Sequence, residues 1–65
     1  MTFLEAMYYA FLGSKVRHKS WDKGVYILNV EGVLLQVEKN SGDAEIVQVV
    51  GFTRNELTVP AWEDY

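Results

Sequence analysis

The sequence predicts an α+β domain: an N-terminal helix packed on a small antiparallel β-sheet, assembled as a homo-oligomer. Three observations predict it. Apolar residues at helical spacing are confined to the first dozen positions. Short β-branched and aromatic runs, broken by turn residues, fill most of the remaining chain. Those runs are apolar on both sides, whereas a half-buried sheet is normally polar on one. One helix covers one face, so a second copy is expected to cover the other, as a symmetric dimer or a dimer of dimers.

Length points the same way. The 65 residues make a single domain, 1–65. A chain of this size buries only roughly 60% of its unfolded surface, so its core is marginal and usually needs a staple. Cysteine is absent, which excludes disulfides and thiolate metal sites, and one histidine cannot build a His-rich zinc site. Association between chains is the staple that remains.

Taken in order, Thr2-Phe3-Leu4-Glu5 fits a capping box, and Phe3, Met7, Ala10 and Phe11 recur at helical spacing. Gly13 is placed to end the helix, which predicts a helix from Phe3 to Leu12. Val16 to His18 reads as a short strand, and Ser20 to Gly24 as a loop with Asp22 and Gly24 supplying turn chemistry. Val25 to Val30 and Val33 to Lys39 read as a hairpin joined by Glu31-Gly32. Asn40 to Asp43 is a second turn, and Ala44 to Phe52 a third long strand. Thr53 and Glu56 form another capping-box pattern, opening a single turn that Pro60 stops. Trp62 to Tyr65 adds a last short strand. Tyr26, Leu28 and Val30 share one face of their strand and Val25 and Ile27 the other; Ile46 and Val50 likewise oppose Val47 and Val49.

Composition limits the function. The chain is 49% hydrophobic and 14% aromatic, too apolar for a disordered segment. No run approaches the ~18 apolar residues of a membrane span, and the early Glu5 without a basic leader does not read as a signal peptide. A formal charge of -3 argues against duplex nucleic acid, whose binding depends on neutralising phosphates. A small anionic ligand needs only a local cationic patch. Lys15, Arg17, Lys19 and Lys23, four of the six Lys and Arg residues, surround Trp21 in KVRHKSWDKG.

An indole offers a stacking platform worth roughly 1–3 kcal/mol per base. Arg17 can grip a phosphate with two donors, Lys19 acts as a point charge, and Asp22 can accept from a ribose hydroxyl. A ring, two cations and an acid suit a nucleotide. The blander reading makes Trp21 and Trp62 core plugs and the cations solvated. His18 has no Ser or Cys nucleophile in a recognisable arrangement, and the five glycines form no phosphate loop, so no enzyme, cofactor or metal is expected.

The order of these signals carries a resemblance. FLEAM at Phe3 to Met7 precedes Gly13 and KVR at Lys15 to Arg17. SWDKG at Ser20 to Gly24 follows, and FTRNEL at Phe52 to Leu57 and AWEDY at Ala61 to Tyr65 close the chain. This resembles the Thoeris anti-defence protein two family, small phage proteins with a Gly-Lys-Val-Arg step, a Trp-Asn-Gly-Lys-like loop and an Asp-Trp-Glu-like final strand. The resemblance covers both ends; residues 28–50 match nothing specific. Phe3 and Met7 stand at the first helix's apolar positions, Arg17 at the family's basic residue, Trp21 at its loop tryptophan and Trp62 at its terminal one. Asp22 replaces a common Asn, and Ala61 a common Asp.

The resemblance implies a sponge: a protein in the cytoplasm of an infected bacterium that sequesters a cyclic nucleotide immune signal without cleaving it. The implied signal is of the cyclised ADP-ribose type, a cyclic dinucleotide or a cyclic oligonucleotide. It implies a helix on an antiparallel sheet in dimers and tetramers, with pockets between protomers. The ligand-binding residues would be Arg17, Lys19, Trp21, Asp22, Phe3, Met7 and Trp62. The rival expectation is a small phage protein that inhibits a host protein by direct binding, using its apolar sheet face and acidic tail.

Overall fold

Two capping boxes and a few left-handed residues set the ends of the elements. The computed structural model of the protein describes residues 1–39 and 45–65. The helix α1, Phe3–Phe11, opens on Thr2, whose hydroxyl accepts from the Glu5 amide at 3.2 Å while the Glu5 carboxylate accepts from the Thr2 amide at 3.0 Å. Gly13, at φ 103°, closes it. The Ser14 amide reaches back to the Tyr9 carbonyl and the Gly13 amide to that of Ala10, so the exposed carbonyls of the last turn find donors. Leu12 is therefore the cap and not the last helical residue.

The strands are β1 (Val16–His18), β2 (Val25–Val30), β3 (Val33–Lys39), β4 (Glu45–Val49) and β5 (Trp62–Asp64), and the helical turn α2 spans Arg54–Thr58. They form one antiparallel sheet in the order β4-β3-β2-β1-β5. The β2–β3 hairpin turns on two residues that both have positive φ, Glu31 at 52° and Gly32 at 84°. That turn twists with the strands it joins, and it sets Val30 opposite Val33. The strand expected from Ala44 to Phe52 is shorter. The Val50 amide makes a last bond to Leu34, after which the chain leaves the sheet and Phe52 turns in against Phe3 and Trp62. The turn expected at Asn40 to Asp43, and Ala44, lie outside the described residues.

Pairing register and alternation sort the side chains. Val16, His18, Val25, Ile27 and Trp62 face the helical layer, where Ala6 and Ala10 let α1 approach closely; Ala6, Ala10, Val16 and Ile27 are fully buried there. Met7, Phe3, Trp21 and Phe52 close the edges of this core. Tyr26, Leu28, Val30, Val33, Leu35, Val37, Val47 and Val49 point to the other face, which no helix among the described residues covers. At one end of that face the Tyr65 ring lies 4.4 Å from Tyr26, with the Lys15 ammonium 5.0 Å from the Tyr26 ring centre. At the other, β4 is an edge strand with every side chain exposed. Among the described residues no helix is long and apolar enough to cross a membrane.

Candidate functional site

The Ser20–Gly24 loop is held from four sides. The Trp21 amide bonds the His18 carbonyl at 3.0 Å, which folds the chain into a turn at the end of β1. Arg17, one residue before His18, points to the open face beside Glu63, its cross-strand partner. Its guanidinium donates to Glu63 at 2.6 Å and to the Trp21 carbonyl at 2.7 Å, tying β5 to the loop. Its buried Nε has no partner among the described residues. On the helical side the Trp21 ring meets Trp62 edge to face, with centroids 5.2 Å apart. The Trp21 indole N–H donates to the Glu56 carboxylate.

Glu56 is the residue that sequence reasoning missed. One carboxylate oxygen caps α2 by accepting from the Thr53 amide at 2.8 Å; the other takes the Trp21 indole. Its backbone carbonyl accepts the Trp62 indole N–H at 2.8 Å. Both tryptophans of the chain therefore donate to one buried residue. The capping-box spacing predicts one of these contacts. The other two join residues 35 and 6 positions apart, which no local pattern encodes.

His18 is buried on the same side, and its partners fix its form. Nε2 faces the Val59 carbonyl at 3.2 Å, which only accepts, so Nε2 carries the proton. Nδ1 then accepts from the Ser20 amide at 3.2 Å and the Ser20 hydroxyl at 2.7 Å. This imidazole is a strut between β1 and the segment after α2, and the sequence reading did not foresee that its other nitrogen meets the Ser20 hydroxyl two residues on.

The expected ligand residues thus divide into two groups. Trp62 is 1% exposed, with Phe3, Phe52, His18 and Trp21 rings around it, and is closed off within this chain. Phe3 and Met7 are half-buried at the core edge, and Trp21 is half-buried at the rim. Lys19 and Asp22 are exposed, as are Lys15 and Lys23. The structure brings Arg17, Trp21 and Trp62 into one connected cluster and leaves Lys19 and Lys23 outside it on the surface, with the Lys15 ammonium over the Tyr26 ring. A separate open groove of about 330 Å³ lies between the first turn of α1 and α2, lined by Phe3, Leu4, Leu57, Val59 and Pro60 among others. Among the described residues no group of His, Asp or Glu is arranged to hold a metal. No family model matches the chain, and no curated protein or solved structure is similar enough to count as a match.

Proposed function

We propose that this protein is a sponge that sequesters a phosphorylated cyclic nucleotide messenger, between copies of itself, without cleaving it. The observation that carries the reading is a half-buried tryptophan flanked in its loop by two exposed lysines, in an acidic chain. Lys19 and Lys23 are exposed on either side of Trp21, whose ring and carbonyl are held by three other elements. A fixed ring bordered by exposed ammonium groups suits a flat base joined to phosphate, because the ring's ordering cost is already met before binding. Supporting it are the resemblance at both ends of the chain and a sheet face that this chain leaves open. Sequestration then works by mass action: a tight site in excess lowers the free signal below what its effector needs.

Arg17 and Trp21 also hold the loop, so their removal would confound binding with folding. The exposed lysines separate the two. A thermal-shift screen against cyclic dinucleotides, cyclic oligonucleotides and cyclised ADP-ribose compounds is the test. A true ligand at a hundred times its dissociation constant adds about 2.7 kcal/mol of stability. Lys19→Gln with Lys23→Gln should weaken that ligand by about tenfold or more while the melting temperature of the free protein stays put, since charged hydrogen bonds are lost only in the complex. The ligand should be recovered intact after denaturation. No shift with any of these compounds, or an unchanged affinity in the double variant, ends the proposal.

One observation favours the second reading, inhibition of a host protein. The aliphatic half of the open face, Val30, Val33, Val47 and Val49, is substantially exposed. A stoichiometric host partner lost on Val49→Lys, with no nucleotide-induced shift, would select that reading.

A further inference from the structure

The helix α1 is apolar on the side it buries and also on the side it does not. Phe3, Ala6, Met7 and Ala10 face the sheet. Leu4, Tyr8, Phe11 and Leu12 recur at the spacing of a second stripe on the outer side, and each is more than half exposed, Leu4 at 78%. The stripe runs on into Leu57 and Val59 of the α2 segment through the groove of about 330 Å³ beside Leu4. A helix apolar all round is normally covered all round.

We infer that this helical layer is the docking surface for a second copy of the chain. The two copies pair helix to helix about a two-fold axis near Tyr8, and the Phe11–Leu12 end of each α1 enters the groove beside Leu4 of the other. Self-complementarity argues for this occupant. The hollow lies at the N-terminal end of the stripe and the unburied ring of Phe11 at the other, seven residues or about 10 Å along the axis. An antiparallel pairing matches hollow to ring twice over, as an isologous contact requires. Area argues the same. The exposed parts of Leu4, Tyr8, Phe11, Leu12, Leu57 and Val59 come to roughly 700 Å², close to what one partner brings to a standard stable interface.

Charge sets aside a lipid surface. The helix has no Lys or Arg, the chain carries -3, and its one helical charge, Glu5, is turned back onto the Thr2 amide. This surface lies on the opposite side of the molecule from the open sheet face, and the inference does not depend on messenger binding.

Sedimentation equilibrium of the whole chain tests it. Phe11→Glu and Tyr8→Glu alter exposed positions, so circular dichroism and melting of the monomeric fold should persist while the mass falls at least twofold from that of the wild type. Val49→Lys, on the sheet face, should leave the helix-paired dimer intact. The chain has no cysteine, so Tyr8→Cys should oxidise to a covalent dimer at micromolar concentration whereas Lys23→Cys should not. A wild type that is monomeric, a Phe11→Glu variant with unchanged mass, or dissociation caused by Val49→Lys alone overturns it. So does a monomer that instead sediments with anionic vesicles or a host protein.

Discussion

At the scale of single residues, Glu56 joins parts of the chain that local patterns treat as unrelated. A capping carboxylate is ordinarily exposed and worth about 1 kcal/mol. Here it is 9% exposed and also holds the Trp21 indole, so its replacement leaves buried donors without an acceptor. Glu56→Ala should cost about 2–4 kcal/mol in urea unfolding, from a lost cap together with an unpaired indole N–H. Glu56→Gln should cost about half as much, because one amide oxygen can serve one of the two donors. Trp21 fluorescence should change in both. Equal stability of all three proteins would show that the indole contact is not formed in solution. Glu5, the other capping carboxylate, differs by being fully open to water. The Thr2 amide, and then the Thr2 hydroxyl, hold its carboxyl below the usual range. Its contribution is present above the ordinary carboxylate pKa and is lost as pH falls through the lowered one.

At the scale of elements, the ends of α1 and of the β2–β3 hairpin depend on left-handed residues, and they predict opposite mutational signs. Gly13 sits at φ 103° with open space where a side chain would go, so Gly13→Ala meets only backbone strain. It should destabilise by about 1–2 kcal/mol. Glu31 is a non-glycine residue at φ 52° in a two-residue turn that favours Asn-Gly. Glu31→Asn should raise stability by about 0.5–1 kcal/mol, read as a higher denaturation midpoint at constant slope. A stabilising Gly13→Ala or a destabilising Glu31→Asn would contradict the assigned backbone. Both turns were legible in the sequence because glycine and turn chemistry act locally. The end of β4 was not: Val50 and Phe52 continue an apolar run, but Phe52 is drawn out of the sheet by the ring of Phe3 at 4.9 Å. A contact between residues so far apart in the chain overrides local β propensity.

At the scale of the whole molecule, stability is graded across the sheet. The strands β1, β2 and β5 lie under the helical layer and surround Trp62, whereas β4 has every side chain exposed and stands at the sheet's edge. Hydrogen exchange in native conditions should therefore protect the Val16 and Ile27 amides at least about tenfold more than those of Ile46 and Gln48, the β4 amides turned toward β3, in the isolated chain. Uniform protection would mean that the open face is already covered in solution. The expectation of a sheet apolar on both sides came from alternation alone, and the register of the strands agrees with it; on the face without a helix Tyr26 and Val37 are buried, while Val30, Val33, Val47 and Val49 are exposed. The second apolar stripe of α1 was equally present in the sequence. The helix's inner stripe is enough to account for the fold, and only burial shows that Tyr8 and Phe11 are left over.

Local chemistry in the sequence settles the elements and most of their ends. Capping boxes, a C-terminal glycine, alternation and a two-residue turn all act over a few positions and need no distant partner. Tertiary packing settles what the singled-out residues do. Trp62 packs on Phe3, Arg17 is engaged by Glu63, and His18 reaches the Val59 carbonyl, contacts that each span 41 or more positions of chain. Sequence chemistry shows what a side chain can bind; only packing shows what it has already bound.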